Sequence, residues 1–135
     1  MVREKALSDE RTALASLLNV YNKQTDILNE MLYVLDAFKK ESERYLEGEN
    51  FNPMVVSNYA MYGAKLQNDI KVQKDLIQKT EIALKHQQEV VKQAYIKVKS
   101  LENLKDRQKE QYLKELQSEE IKQIDDIVNS RRNIA

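Results

Sequence analysis

A single proline, Pro53, interrupts 135 residues, and the only two glycines, Gly48 and Gly63, lie close to it. A chain with so little punctuation has few places to reverse direction. In "EGENFNPMVVS", residues 47 to 57, Gly48 suits the C′ position that closes a helix. Asn52 and Pro53 suit the N-cap and first turn of the next, with Phe51 and Val56 spaced as a hydrophobic staple. Gly63 falls inside the second segment and reads as a small packing position rather than a break. One turn implies two long helices.

Apolar residues on both sides of that turn recur with a period near 3.5. In the first arm Ala6, Ala13, Leu17, Val20, Ile27, Met31, Val34, Phe38 and Tyr45 fit alternating steps of four and three, with Glu10, Gln24 and Glu41 as polar members. The second arm gives Tyr59, Gly63, Leu66, Ile70, Ile77, Leu84, Val91, Ala94, Val98 and Leu101, interrupted at Gln73, Thr80 and Gln87. Heptad seams of this kind predict an all-α fold, a long two-helix antiparallel coiled-coil hairpin with an extended C-terminal helix. The expected organisation is one domain over residues 1–135, with helices over 3–47 and 53–132 and a turn at 48–52. Folding there pairs positions whose numbers total about 104, placing Tyr45 by Tyr59 and Gln24 opposite Thr80, a polar layer that fixes register. Charge favours the same pairing, since residues 1–50 carry seven basic and ten acidic side chains and residues 71–98 carry six and three. Exposed pairs contribute only about 0.2–1 kcal/mol each, so most of the stability must come from the seam.

The arms are unequal. With position 2 opposite 102, residues 103–135 have no partner in the hairpin, and as a helix they would extend on the order of 50 Å. A wholly polar stretch, "KDRQKEQ", is followed by Tyr112, Leu113, Leu116, Ile121, Ile124, Ile127 and Val128. That resumed apolar stripe calls for a cover. At this point three candidates stand: an outside partner, the tail of a second copy, or a longer first arm.

Composition excludes much chemistry. Without cysteine there is no disulfide or thiolate metal site, and one histidine, His86, cannot build a multi-histidine site; it reads as an ordinary flanking residue. Adjacent carboxylates such as Asp125–Asp126 and Glu119–Glu120 point to different sides of a helix, unlike a proton-sharing dyad. No glycine-rich phosphate loop is present, so no enzyme activity and no cofactor are expected. Equal numbers of basic and acidic residues, 22 each, make a weak footprint for nucleic acid, which is not an expected partner. The longest apolar run, residues 31–35, falls far short of the roughly 20 residues that span a bilayer, and the charged start lacks a signal-peptide core, so the chain reads as soluble and intracellular.

The acidic first helix ending "FKKESERYL", the short turn, "YAMYGAKLQNDI" and the long closing segment from "AYIKVKS" resemble the flagellar export protein FliJ family over almost the whole chain. The likeness rests on Leu101-x-x-Leu104-x-x-x-Gln108, Tyr112, and Glu119 or Glu120 followed by Ile124-Asp125-Asp126-Ile127 and Arg131. Ile124 and Asp126 are conservative departures from the family's usual Leu and Glu.

The resemblance implies a non-enzymatic stalk of the flagellar type III export apparatus, similar to the central stalk of rotary ATP synthases. It implies insertion into the export ATPase hexamer, whose assembly the family promotes. Leu116, Ile121, Ile124, Ile127 and Val128 would form the inserted surface, and Asp125, Asp126, Arg131 and Arg132 would make polar contacts. A transmembrane export-gate protein would bind nearer the turn, through Phe38, Tyr45, Tyr62 and Leu66, of which only Tyr62 lies off the expected seam. Unloaded export chaperones are further partners, and the location implied is cytoplasmic, at the inner membrane through these partners. The equivalent stalk of a virulence injectisome, or an RNA-binding or scaffolding hairpin, are the competing readings.

Overall fold

The computed structural model describes residues 2–50 and 52–134, with side chains through residue 132. Two helices account for nearly all of it: α1, Val2–Glu47, and α2, Pro53–Ile134. Among the described residues there is no strand, and the fold is an all-α helical hairpin. The chain divides into two compact units, Ser8–Lys92, and Met1–Leu7 with Gln93–Ala135.

Local chemistry explains the break between the helices. Asn52 caps α2: its Oδ1 accepts the N–H of Met54 at 2.9 Å and its carbonyl accepts that of Val56 at 3.1 Å. Pro53 then occupies the first helical position, where a missing N–H costs nothing. At the end of α1 the Gly48 N–H reaches back to the Tyr45 carbonyl at 3.2 Å, a tightened last turn. Gly48 thus follows the last helical residue as expected, but its φ is not positive, so the left-handed C′ geometry is not used. The Phe51 half of the expected staple lies outside the described residues.

Within Ser8–Lys92 the α2 positions Val56, Tyr59, Gly63, Leu66, Ile70, Gln73, Ile77, Thr80, Leu84, Gln87 and Val91 are buried or half-buried in the expected alternation of three and four, with Val55, Asp69, Ala83 and Val90 half-buried beside them. In α1 the corresponding positions are Glu10, Leu14, Leu17, Tyr21, Gln24, Leu28, Met31, Leu35, Phe38, Ser42 and Tyr45. Every second member of that series is as the sequence suggested. The others move by one residue: Leu14, Tyr21, Leu28, Leu35 and Ser42 take the seam in place of Ala13, Val20, Ile27, Val34 and Glu41. Size accounts for three of these moves, because a two-helix seam is only one layer thick and Leu14, Tyr21 and Leu35 cover it better than Ala13, Val20 and Val34; Leu28 and Ser42 follow by the heptad repeat. Val20, Ile27 and Val34 stand beside the seam, each 43–45 % exposed.

The register also shifts. Tyr45 meets Tyr59 as expected, ring centroids 5.4 Å apart and inclined 62°. Further from the turn, Gln73 Nε2 donates to the Gln24 carbonyl at 2.9 Å, and Gln87 Nε2 donates to the Glu10 carbonyl at 3.0 Å and to its carboxylate. Both pairs total 97, while Tyr21 with Glu81 totals 102 and Phe38 with Gly63 totals 101, so the facing positions lie about three residues below 104 and the two Gln side chains reach a further turn. The hydroxyl of Thr80, expected opposite Gln24, instead donates to Leu76 O in its own helix at 3.2 Å. Gln24 is therefore a polar layer, answered by Gln73.

In the unit formed by Met1–Leu7 and Gln93–Ala135, Leu7 and Val98 are buried, with Ala94 and Leu101 half-buried. From residue 102 to 132 every side chain is exposed. Fraying is expected beyond residue 105, yet α2 runs to Ile134. This stretch contains no Gly or Pro and is rich in Leu, Lys, Glu and Gln, the strong helix formers.

Candidate interaction surfaces

The C-terminal stretch presents one coherent apolar arc. At about 100° per residue, Leu113, Leu116, Ile121, Ile124, Ile127 and Val128 fall within roughly 140° of the helix circumference. Leu116 is 39 % exposed, Ile121 and Ile124 61 %, Ile127 56 % and Val128 43 %. Glu119, Glu120, Asp125, Asp126, Arg131 and Arg132 are exposed as well. By the same rotation Glu120 falls inside the arc, Asp125 at its edge and Glu119 and Asp126 on the opposite face, while two arginines occupy the last turn, where their charge complements the helix carbonyls. The expected ring-binding residues other than Asp126 lie on or at the edge of this one helix surface, which no described residue covers.

Internal contacts there are local. Gln111 Nε2 donates to Glu115 Oε1 at 3.4 Å, one helical turn on. Lys99 Nζ lies 3.2 Å from Glu102 Oε2 and over the Tyr95 ring. The hydrogen bond that Lys99 donates to Glu102, the charge of that carboxylate and that of Tyr95 together hold the lysine above its ordinary value.

Near the turn the four other expected residues divide. Phe38, Tyr45 and Leu66 are half-buried seam positions, whereas Tyr62 flanks the seam, 47 % exposed. Phe38 joins them into a cluster: its ring meets Tyr62 edge-on at 4.9 Å and Tyr59 at 5.6 Å. The cluster closes because residue 63 is glycine; a Cβ built there would lie 3.1 Å from Phe38 Cε1. Tyr59, at the centre of this arrangement and in contact with both Phe38 and Tyr45, was expected on the seam but not among the gate-binding residues. Its seam position and the density of aromatic residues around 59–62 were the available signal. On the other flank Ser42, Leu46, Val56, Tyr59 and Ala60 line a shallow hollow.

No group of three or more metal-ligating side chains converges among the described residues, and no described helix is long and apolar enough to cross a membrane. His86 is an exposed residue of α2.

Neither a curated protein nor a solved structure matches the chain. The family model described as "Flagellar FliJ protein" matches residues 1–133. With that match, the helical hairpin and the turn at residues 48–52, the chain belongs to the flagellar FliJ family and is a component of the flagellar protein export apparatus.

Proposed function

We propose that this chain is a non-enzymatic stalk that promotes assembly of the export ATPase ring. The observation that carries the reading is the helix from 102 to 132, exposed at every side chain yet bearing an apolar arc from Leu116 to Val128. An exposed solvated helix has no need of such an arc, and contiguous exposed apolar surface is characteristic of interaction sites. Leu116, Ile121, Ile124, Ile127 and Val128 would enter the ring. Asp125, Asp126, Arg131 and Arg132 would supply polar contacts at its edge, setting orientation more than affinity.

The turn-proximal cluster is the proposed contact with the transmembrane export gate. Tyr62 is the residue free to make it, since Phe38, Tyr45 and Leu66 also carry the seam. Export chaperones are a further proposed cargo. The protein would act in the cytoplasm, held at the inner membrane by these partners, and would need no cofactor.

The test measures ATP hydrolysis by the purified cognate export ATPase, kept dilute enough to be mostly monomeric, with and without this chain. Stimulation by the native chain that an Ile124→Asp, Ile127→Asp variant loses is the expected result. Absence of stimulation by the native chain would remove the ring-assembly role.

A further inference from the structure

The heptad stripe Ala13, Val20, Ile27, Val34 is apolar, recurs every seven residues, and is not used by the hairpin seam. Contacts within Ser8–Lys92 show which side of the coil it occupies. Phe38 packs on Tyr62, which flanks the α2 seam, so Tyr62 stands on the Phe38 side of the hairpin. Val34, one turn before Phe38, stands on that side too. By the heptad repeat, Val20, Ile27 and Val34 of α1 therefore share one side with Tyr62, Asp69, Leu76, Ala83 and Val90 of α2. The other side is marked by Tyr21, whose hydroxyl donates to Glu81 at 3.4 Å, and its α2 flank reads Gln67, Lys74, Glu81 and Gln88. The α1 flank of that side is Leu18, Thr25 and Leu32, so the two sides differ mainly along α2, where the strip on the Tyr62 side is apolar except for Asp69 and the Glu81 side is polar throughout.

We infer that this strip is the interface of an antiparallel homodimer, in which two hairpins stack face to face about a two-fold axis at Ile27. Charge selects both the occupant and the orientation. In such a dimer α1 crosses α1 of the second copy with positions totalling about 54, so Ile27 meets Ile27, and Val20 meets Val34. Lys23 and Glu30, which edge the strip on the outer side of α1, then face Glu30 and Lys23 of the second copy. Each opposite-charge pair occurs twice, as an isologous contact requires. Leu76 of α2 meets its own equivalent. Turning the second copy the other way, so that α1 lies over α2, would set Lys23 against Lys79, a like-charge contact that costs energy.

The extent of the strip sets the strength. From Ala13 to Val34 it runs about 30 Å, and two helices are about 20 Å wide, so roughly 600 Å² of each copy is covered. That total of about 1,200 Å² is at the lower limit for specific association. Val20, Ile27, Val34, Tyr62 and Leu76 are already half covered by the hairpin, at 43–47 % exposure. The dimer is accordingly weak, half-formed between about 10 µM and 1 mM.

Sedimentation equilibrium on the full chain, from about 5 µM to 1 mM, tests this. The expected result is a monomer–dimer equilibrium that Ile27→Glu abolishes while helix content and unfolding midpoint are kept. Lys23→Glu alone should weaken it about tenfold, and Lys23→Glu with Glu30→Lys should restore it, since the swapped charges again face each other. The tail variant Ile124→Asp, Ile127→Asp should dimerise as the native chain does. Because the chain has no cysteine, Ile27→Cys should form a disulfide-linked dimer on mild oxidation, and Leu32→Cys, on the opposite side of the hairpin, should not. A chain that stays monomeric to 1 mM overturns the proposal. So does a dimer that the tail substitutions dissolve, or one that Leu32→Cys traps as readily as Ile27→Cys.

Discussion

The hydroxyl of Tyr45 accepts the backbone N–H of Asn52 at 2.8 Å, joining the last turn of α1 to the residue that caps α2. The same side chain stacks edge-on against Tyr59, so one tyrosine both ties the turn and begins the seam. Tyr45→Phe keeps the ring and removes only the acceptor. The expected cost is about 0.5–1.5 kcal/mol, toward the lower value because the bond is exposed to water. A urea unfolding midpoint equal to that of the native chain would show that the bond contributes nothing.

Gln24 should be a position where the protein gains stability by substitution. Its Oε1 is enclosed without a hydrogen-bond partner, while the carbonyl that holds Gln73 Nε2 belongs to the main chain. Gln24→Leu removes an unsatisfied acceptor, leaves that hydrogen bond possible and adds apolar seam area. Leaving such a group unpaired costs about 1–3 kcal/mol, so the variant should be more stable by on the order of 1 kcal/mol. A lowered midpoint in thermal or urea unfolding is the outcome that would sink this account.

The same seam shows what was legible from the sequence. In α2 the flanking stripe is broken by Asp69, so the longer apolar series Tyr59, Gly63, Leu66, Ile70, Ile77, Leu84 and Val91 stood out, and the structure agrees. In α1 two adjacent stripes are both apolar. Val20, Ile27 and Val34 compete with Tyr21, Leu28 and Leu35, and a period of seven fits either. Periodicity cannot choose between them; side-chain volume favours Tyr21 over Val20 and Leu35 over Val34, and the heptad repeat then carries Leu28 with them although it is no larger than Ile27. The turn was legible for a different reason, since Asn and Pro act through local backbone chemistry that needs no partner. The C-terminal arc could be found but not assigned, because what covers it lies on another molecule.

Gly63 is constrained by its neighbour rather than by backbone conformation, as it lies inside α2 without a positive φ. A methyl group at 3.1 Å from Phe38 Cε1 requires that ring to give by a few tenths of an ångström, and Tyr59 and Tyr62 flank it. Gly63→Ala gains up to about 1 kcal/mol of helix propensity and loses a similar amount in contact, leaving the midpoint nearly unchanged. Gly63→Leu cannot be absorbed and should cost about 1–3 kcal/mol. Equal stability of the alanine and leucine variants would mean that Phe38 moves aside freely.

Tyr62→Ala separates packing from partner binding. The edge-on contact with Phe38 contributes on the order of 0.5–1.5 kcal/mol, so the hairpin should stay helical with a modestly lower midpoint. Under the proposed gate role, binding to the export gate should fall far more than stability does. Tyr62→Phe, which keeps the ring, should retain the packing term. Gate binding and export at native levels in the alanine variant would remove Tyr62 from that surface.

Ile77 and Ile124 are the same residue type in the same helix with opposite duties. Ile77 is 8 % exposed in the seam, and Ile77→Ala should cost about 2–4 kcal/mol through lost burial and a residual cavity. Ile124 is 61 % exposed, so Ile124→Asp with Ile127→Asp removes little buried area. The new aspartates add like-charge pairs with Glu120, a few tenths of a kcal/mol, which loosens the end of α2 without touching the seam. The hairpin's urea midpoint should therefore stay within about 0.5 kcal/mol of native, while stimulation of the export ATPase is lost. A large drop in the midpoint of the double variant would mean that the arc is packed within this chain in solution, leaving the ring no free surface to bind.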